Sequence, residues 1–243
     1  GYLSPLTTKR TKLEMDTSGI KLVGGDYNER QMSDKFDRLP VTEQAIKEIM
    51  AAGVNRKCWM VFTIDISHAE HVAEVLIRSG IPTAVIHSKM GEDGFIREDV
   101  IQGYKDGKYK CIVNVNILTT GFDHPDIDLI ACLRPTKSTV LHVQSLGRGC
   151  RKAEGKENCL VLDFAGNTAV LGNIDNPNVV VKAKGDGDGE AVTKACPTCD
   201  TYVAASVKKC PECGHKFAFQ HGLTGTAFDA SLSDGKPHWV RVD

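Results

Sequence analysis

Two arginines and a glutamine stand close together in the stretch 144–151, which reads QSLGRGCR. Steps of four and three separate Gln144, Arg148 and Arg151, so a helix would carry all three on one face. Neighbouring guanidiniums repel each other unless an anion lies between them, and their planar shape suits phosphate oxygens. Gly147 leaves room for a close approach to the backbone. The pattern predicts a helix face that binds a polyphosphate or a nucleic-acid backbone, with an ordinary solvated basic face as the alternative.

Four cysteines near the carboxyl end form two tight pairs, CPTC and CPECG, separated by ten residues. Thiolates at this spacing suit tetrahedral Zn²⁺, and the pattern predicts a zinc ribbon. The expected ligands are Cys196, Cys199, Cys210 and Cys213. His215 could compete as a ligand, but four cysteines already complete the coordination. Two disulfides are the alternative, which conflicts with the remaining cysteines, because those lie mostly in apolar runs as buried thiols of a reducing compartment do.

The role of this predicted ribbon stays open. Its lysines and carboxylates nearly balance between 182 and 216, so a strong phosphate-binding surface is not indicated. Lys208 and Lys209 could make one local phosphate contact. Docking of another protein, or structural stapling of a segment too short to fold without metal, is equally compatible with the sequence.

The composition is that of a globular protein, with 41% hydrophobic and 25% charged residues in a chain of 243. The formal net charge of -1 excludes a global field that would attract polyanions, so any such binding needs local patches. No apolar run approaches the ~20 residues that span a bilayer, and no membrane partner is expected. The chain begins with glycine rather than methionine, which suggests a piece of a longer protein.

Short apolar runs alternate with amphipathic segments, which predicts an α/β fold with a mostly parallel sheet and helices on both of its faces. The predicted strands are 58–64, 81–88, 111–118, 127–134 and 159–166. The predicted helices are 41–53, a segment from a capping box at Ser67–Glu70 to about 80, 92–104, and the segment that holds 144–151.

Ligands of such sheets bind beyond the carboxyl ends of the strands. Three polar segments fall at predicted carboxyl ends, 65–67, 87–90 and 119–123, and they predict one functional edge. A change of composition near Gly172 predicts the domain boundary. The expected organisation is a leader or linker at 1–38 with room for a short strand or helix, an α/β domain at 39–175, a linker at 176–193, the zinc ribbon at 194–220 and a tail at 221–243.

Residues 41–170 resemble the second RecA-like domain of superfamily 2 helicases and translocases, most of all the phage and bacterial group that includes restriction-enzyme motor subunits. Four segments carry the resemblance, in the order of the family. CWMVFTIDISHAEHVAEVL resembles motif IV, and VIHSKM resembles the following strand with its nucleic-acid-facing loop. NVNILTTGFDHPDID resembles motif V, and QSLGRGCR resembles motif VI.

The resemblance implies a role for each matching residue. Arg148 and Arg151 would reach the γ-phosphate of ATP as arginine fingers, which are worth about a thousandfold or more in phosphoryl-transfer rate. Gln144 would orient the attacking water or hold the domain interface. Gly121 and Asp123 would contact the nucleotide ribose or a motif VI arginine, although an aspartate in an ordinary turn is the alternative for Asp123.

The same resemblance implies that Ser88, Lys89, Thr119 and Thr120 hold phosphates of a nucleic acid. DNA is the expected partner, and the sequence leaves RNA open. Such contacts position a strand and do not read its bases. For Ser88 and Lys89 a solvated loop is the alternative.

The sequence lacks both the ATP-cradling loop G-x-x-x-x-G-K-[ST] and any Asp-Glu dipeptide for magnesium. ATP and Mg²⁺ would therefore bind only with an N-terminal RecA-like domain as partner. We expect the inactive C-terminal half of an ATP-dependent DNA helicase, in the cytoplasm of a bacterial or phage-infected cell. The alternatives are the translocating motor of a restriction system and a non-enzymatic nucleic-acid or protein binding module. An independent nucleotide-binding enzyme is disfavoured because no glycine-rich phosphate loop is present.

Overall fold

The computed structural model describes residues 3–90, 95–115, 117–118, 122–177 and 193–217. The predicted tail at 221–243 and most of the predicted linker at 176–193 lie outside these ranges. The helices are α1 (Glu29–Phe36), α2 (Leu39–Ala52), α3 (Ile66–Arg78), α4 (Phe95–Lys105), α5 (Thr139–Gly147) and α6 (Asn167–Leu171). The strands are β1 (Leu6–Arg10), β2 (Leu22–Val23), β3 (Asp26–Tyr27), β4 (Trp59–Phe62), β5 (Thr83–Ile86), β6 (Cys111–Asn114), β7 (Leu129–Cys132), β8 (Cys159–Asp163), β9 (Gly172–Asn173), β10 (Asn176–Pro177), β11 (Thr193–Ala195) and β12 (Tyr202–Ala204).

Within the described part of the chain, six strands form one parallel sheet in the order β1-β8-β7-β4-β6-β5. Every residue of β4, β6, β7 and β8 is buried. Strands covered on both faces read as continuous apolar runs, which is the pattern that predicted them. The predicted parallel α/β sheet is therefore confirmed, with each strand somewhat shorter than its apolar run.

Helices cover both faces of the sheet, as predicted. Alternate strand residues belong to two separate hydrophobic clusters because successive side chains of a strand point to opposite faces. On one face, Phe36 of α1, Ile49 of α2 and Leu76 of α3 pack against the strands. On the other face, Tyr104 of α4 and Leu146 of α5 pack against the strands.

The amino-terminal part of the chain, which was expected as a leader or linker at 1–38 able to contain a short strand or helix, contains both and belongs to the sheet domain. In the structure β1 pairs in parallel with β8 from Leu6 opposite Cys159 to Arg10 opposite Asp163, and α1 buries Met32 and Phe36. The strand reads LTTKR, and only its central threonine is fully buried. An edge strand with a half-solvated face needs no apolar run, so the sequence carried no signal for it.

The start of α3 corrects the predicted capping box. Its N-cap is Asp65, whose Oδ1 accepts a hydrogen bond from the amide of His68 at 2.8 Å. The hydroxyl of Ser67 instead donates to Asp37 Oδ2 at 3.0 Å. A carboxylate at the N-cap satisfies a free amide and also interacts favourably with the helix dipole.

We expect Asp65→Ala to lower the free energy of unfolding by about 1 kcal/mol, because the substitution leaves a first-turn amide of α3 without its acceptor. Urea unfolding followed by circular dichroism measures the change. Ser67→Ala is the matched control and should shift stability by no more than about 0.5 kcal/mol. A larger loss in the serine variant than in the aspartate variant would restore the predicted capping box.

Candidate functional site

The segment with the paired arginines is not one continuous helix. Helix α5 begins after Ser138, whose Oγ accepts from the amide of Leu141 at 3.2 Å, and it ends at Gly147. Arg148–Cys150 form a 3₁₀ turn, and Arg151 has extended backbone with φ -71° and ψ 139°. The predicted common helix face of Gln144 and the two arginines is therefore wrong. Gln144 lies half-buried within α5, one turn before its end.

A close approach of the chain to the sheet explains why the helix stops there. A Cβ added at Gly149 would lie 2.6 Å from Cys159 Sγ and 2.9 Å from a methyl group of Leu6. The amide of Ser4 donates to the carbonyl of Cys150 at 2.8 Å. The 3₁₀ turn is thus fixed against the first residues of β1 and β8. Gly149, which the sequence did not single out, is the glycine that this contact requires.

Open space surrounds the other glycine of the segment. A Cβ at Gly147 would meet no atom of the described residues within 4 Å, and the backbone there has ordinary helical angles. The surface beside Gly147 is therefore accessible to an approaching group, as its sequence position suggested.

The structure brings the arginines to the loop that holds Asp123. Arg151 Nη1 lies 3.5 Å from Asp123 Oδ1, with the two side chains 48% and 64% exposed. Arg148 Nη1 donates to the carbonyl of Phe122. Burial lowers the pKa of the Arg148 guanidinium, the neighbouring Arg151 charge lowers it further, and Asp123 opposes both effects. The two cations therefore interact electrostatically, and the loop at 122–123 partly neutralises their charge.

An aromatic cluster anchors this loop to the sheet. The ring of Tyr104 lies 6.3 Å from that of Phe122 and 5.0 Å from that of His124. The hydroxyl of Tyr104 donates to the carbonyl of Trp59 at 2.7 Å, at the start of β4. Burial lowers the pKa of His124, which favours the neutral imidazole. Sequence reasoning missed these anchors, because an aromatic residue in a loop gives no sign of which strand it will contact.

The predicted site residues fall on two different edges of the sheet. Ser88 and Lys89 follow the carboxyl end of β5 and are exposed. Asp123 lies instead beside Arg151, on the side where β1 and β8 begin, so the expectation of one common edge is corrected for this residue. Thr119, Thr120 and Gly121 lie outside the described residues. The fold thus separates the exposed loop after β5 from the arginines.

The predicted zinc ligands form a compact group of four sulfurs. The Sγ atoms of Cys196, Cys199, Cys210 and Cys213 all lie within 4.8 Å of one another. The closest pairs are 196–213 at 3.6 Å and 199–210 at 3.7 Å. Metal–sulfur bonds of about 2.3 Å in a tetrahedron place the sulfurs about 3.8 Å apart, so this group has the size of a zinc site.

The competing interpretations of the cysteines do not match this geometry. All nine cysteines lie among the described residues, and none of them forms a disulfide. His215 Nδ1 lies 3.0 Å from the hydroxyl of Thr198, and the imidazole packs edge-on against Phe217 rather than joining the sulfurs.

The ribbon hairpin of β11 and β12 docks on the edge of the main sheet. Lys9 of β1 forms an antiparallel bridge with Thr201, and the amide of Arg10 donates to the carbonyl of Asp200 at 2.9 Å. The Arg10 guanidinium lies 3.2 Å from the Asp200 carboxylate. An exposed strand edge is a site of aggregation unless it is covered, so these contacts protect β1.

A scan of known families matches residues 42–153 to the helicase conserved C-terminal domain. Over this stretch, which is 112 of the 243 residues, the chain is similar to that family. The matched stretch includes Asp123 and both arginines, whereas β1, β8 and the ribbon hairpin lie outside it.

Similar proteins support the same family. IRC3 of Saccharomyces cerevisiae, named as a candidate ATP-dependent helicase, is 30% identical over 161 residues, 65% of this chain and 23% of the yeast protein. A 51.5 kDa protein of a Lactococcus phage is 24% identical over 225 residues, 90% of this chain and 48% of the phage protein. The chain thus spans about a quarter to a half of the length of these relatives.

A solved structure supports the fold. A fragment of a candidate HsdR subunit of a type I restriction enzyme from Vibrio vulnificus matches 73% of this chain and 36% of its own, with a TM-score of 0.56 and 17% identity. The RecA-like fold of the helicase C-terminal domain is therefore confirmed. Among the described residues, no helix is both long and apolar enough to cross a membrane.

The 3₁₀ turn Arg148–Cys150, called the arginine turn below, lies against β8 at Gly149. We therefore expect Gly149→Ala to lower the free energy of unfolding by about 1–3 kcal/mol. Gly147→Ala is the matched control, and it should leave stability unchanged or raise it by up to about 1 kcal/mol. Urea denaturation of both variants tests the pair. Equal stability of the two variants would show that Gly149 does not need its close contact.

Proposed function

We propose that this chain is the C-terminal motor half of an ATP-dependent DNA helicase, and that it supplies arginines to ATP held by an N-terminal RecA-like domain. The observation that carries the proposal is the pairing of Arg151 with Asp123 beside Arg148, on an accessible surface. The family and the helicase relatives give the reaction class.

The geometry would allow Arg151 to leave Asp123 and to bind a phosphate instead. The Arg151–Asp123 contact is half-exposed and long for a hydrogen bond, so it costs little to break. A γ-phosphate brought to this surface offers more negative charge than one carboxylate does. Arginines placed beside the transferring phosphoryl group stabilise the negative charge of its transition state.

The arginine on the 3₁₀ turn has a more fixed role. Its guanidinium donates to the Phe122 carbonyl, and the loop that holds Phe122 is anchored by Tyr104. Arg148 is therefore preorganised, and preorganised charges need no rearrangement during the reaction. Gln144, one turn earlier on α5, orients the attacking water or holds the interface between the two domains.

ATP and Mg²⁺ belong to the partner domain in this proposal, since the sequence has neither a phosphate loop nor an Asp-Glu pair. Gly121 and Asp123 complete the nucleotide site from this side. This chain alone would then hydrolyse no ATP. Mg²⁺ held by the partner domain would supply charge neutralisation on the phosphates, and the arginines of this chain would position and stabilise the transferring group.

Binding of the nucleic acid is assigned to the opposite edge of the sheet. Ser88 and Lys89 are exposed in the turn that follows β5, where a hydroxyl and an ammonium can hold phosphates. Thr119 and Thr120 are proposed to contribute in the same way. Contacts to the backbone, without base readout, suit a protein that moves along DNA of any sequence. A cytoplasmic location in a bacterial or phage-infected cell fits the phage relative.

We assign Zn²⁺ as the ion of the ribbon, held by Cys196, Cys199, Cys210 and Cys213. The sulfur spacing fits its bond lengths, and the ribbon docks on β1 instead of standing free. The metal would supply the folding energy that so short a segment lacks. Its role is thus a structural staple of the sheet edge.

A second candidate function is the translocating motor of a restriction system. The fold likeness to the HsdR fragment favours it, although at 17% identity that likeness concerns the fold alone. In such a motor the strands need not separate. Strand displacement measured on a labelled duplex by the full-length protein distinguishes the two, since a pure translocating motor consumes ATP without releasing a strand.

In the full-length protein, we expect Arg148→Ala to lower kcat for ATP hydrolysis by about a thousandfold, because a finger is lost from the transition state. Binding of a DNA strand should stay within twofold of the parent protein. Arg78→Ala, which removes an exposed arginine of α3, is the matched control and should keep full activity. Unchanged ATPase in the Arg148 variant would favour a non-enzymatic binding module.

Metal analysis of the purified chain should find about one zinc per molecule, as a single four-thiolate site requires. The double variant Cys196→Ser/Cys210→Ser should bind no zinc, because it lacks one ligand from each of the two cysteine pairs. Cys150→Ser, outside the group of four, is the control and should keep the metal. Retention of zinc by the double variant would contradict the assigned ligand set.

A further inference from the structure

A single lysine joins the loop that follows Asp123 to the segment that holds the arginines. Lys156 lies between the 3₁₀ turn and β8, and its ammonium donates three hydrogen bonds to main-chain carbonyls. The acceptors are Pro125 at 2.9 Å, Gly149 at 2.9 Å and Arg151 at 2.7 Å. An ammonium has three donors, so these contacts use its whole capacity.

The three carbonyls come from both sides of the candidate site. Pro125 follows Asp123 by two residues, whereas Gly149 and Arg151 belong to the segment with the fingers. Charge-assisted hydrogen bonds are stronger than neutral ones, and here they are partly shielded from water. Burial lowers the pKa of Lys156, which shows how closely the protein surrounds the ammonium.

We propose that Lys156 is a positioning residue for the arginine fingers: it ties the Asp123 loop to the 148–151 segment and so fixes where both guanidiniums project. The inference rests on the proposed function. Lys156 does not touch a phosphate in this arrangement, because carbonyl oxygens occupy its donors. It acts through the backbone of Arg151 and of the residue that follows Arg148.

This role predicts a particular kinetic signature. Phosphoryl transfer depends on placing a charge to within a fraction of an ångström, and a displacement of about 1 Å can cost about 100-fold in rate. Binding of ATP to the partner domain does not need the fingers in that position. Loss of Lys156 should therefore lower kcat and leave KM for ATP nearly unchanged.

The test uses the full-length protein with Lys156→Met, which keeps an apolar stem and removes the ammonium. We expect kcat to fall about 10- to 100-fold with KM within twofold, and the amides of 122–126 and 148–151 to exchange hydrogen faster. Lys152→Met removes an exposed lysine from the same loop and should change none of these values. The control separates positioning from a simple loss of positive charge near the arginines.

Lys156→Gln is a second variant for the case that Lys156→Met does not fold. Its shorter side chain keeps two N–H donors, so we expect a kcat between those of the parent protein and Lys156→Met. Full kcat in folded Met or Gln variants would overturn the inference. So would a loss of kcat that comes with a general rise in exchange across the sheet. Comparison with Arg148→Ala separates the two proposals. If Arg148→Ala keeps full ATPase activity, the proposed function is refuted. If Arg148→Ala is inactive while Lys156→Met keeps full activity, only the role of Lys156 is refuted.

Discussion

Two neighbouring guanidiniums repel each other, and the fold meets this constraint by giving each of them its own partner. Arg148 and Arg151 stand at the end of a helix, where the fold gives each a separate partner on one loop: the Phe122 carbonyl and the Asp123 carboxylate. The partners hold the cations apart and still leave them near the surface. This arrangement is compatible with the proposed role, because preorganised positive charges near a surface are what stabilises transient negative charge.

The edge strand β1 contacts the arginine turn at one end and the ribbon at its other end. At its start Leu6 packs against Gly149 of the arginine turn, and near its end Lys9 and Arg10 hold the ribbon at Thr201 and Asp200. A strand of mostly polar residues would be a weak edge by itself. The parallel ladder to β8 and the docked hairpin of β11 and β12 hold it from both sides, so the four-cysteine group and the arginine turn contact one structural element.

The central sheet could be predicted because buried parallel strands must be apolar along their whole length, and runs such as CIVN and CLVLD show this directly. The position of strand β1 and its pairing with β8 could not be predicted, since LTTKR has the composition of a solvated linker and becomes a strand only beside β8. The helix start at Asp65 was misplaced to Ser67, because both residues can cap a helix and only the packing of α3 selects one of them.

Three chemical properties of the chain can be read without its fold: four cysteines at zinc-ribbon spacing, a pair of arginines, and the lack of a phosphate loop. These properties depend on residue types and short spacings, which the chain order fixes. The folded chain was needed to show that Arg151 lies beyond the helix, that Asp123 makes the arginine contact of its two expected contacts, and that Lys156 ties their loops together. Those contacts join residues from separate crossovers of the sheet, and the order in which the strands pair sets which loops become neighbours.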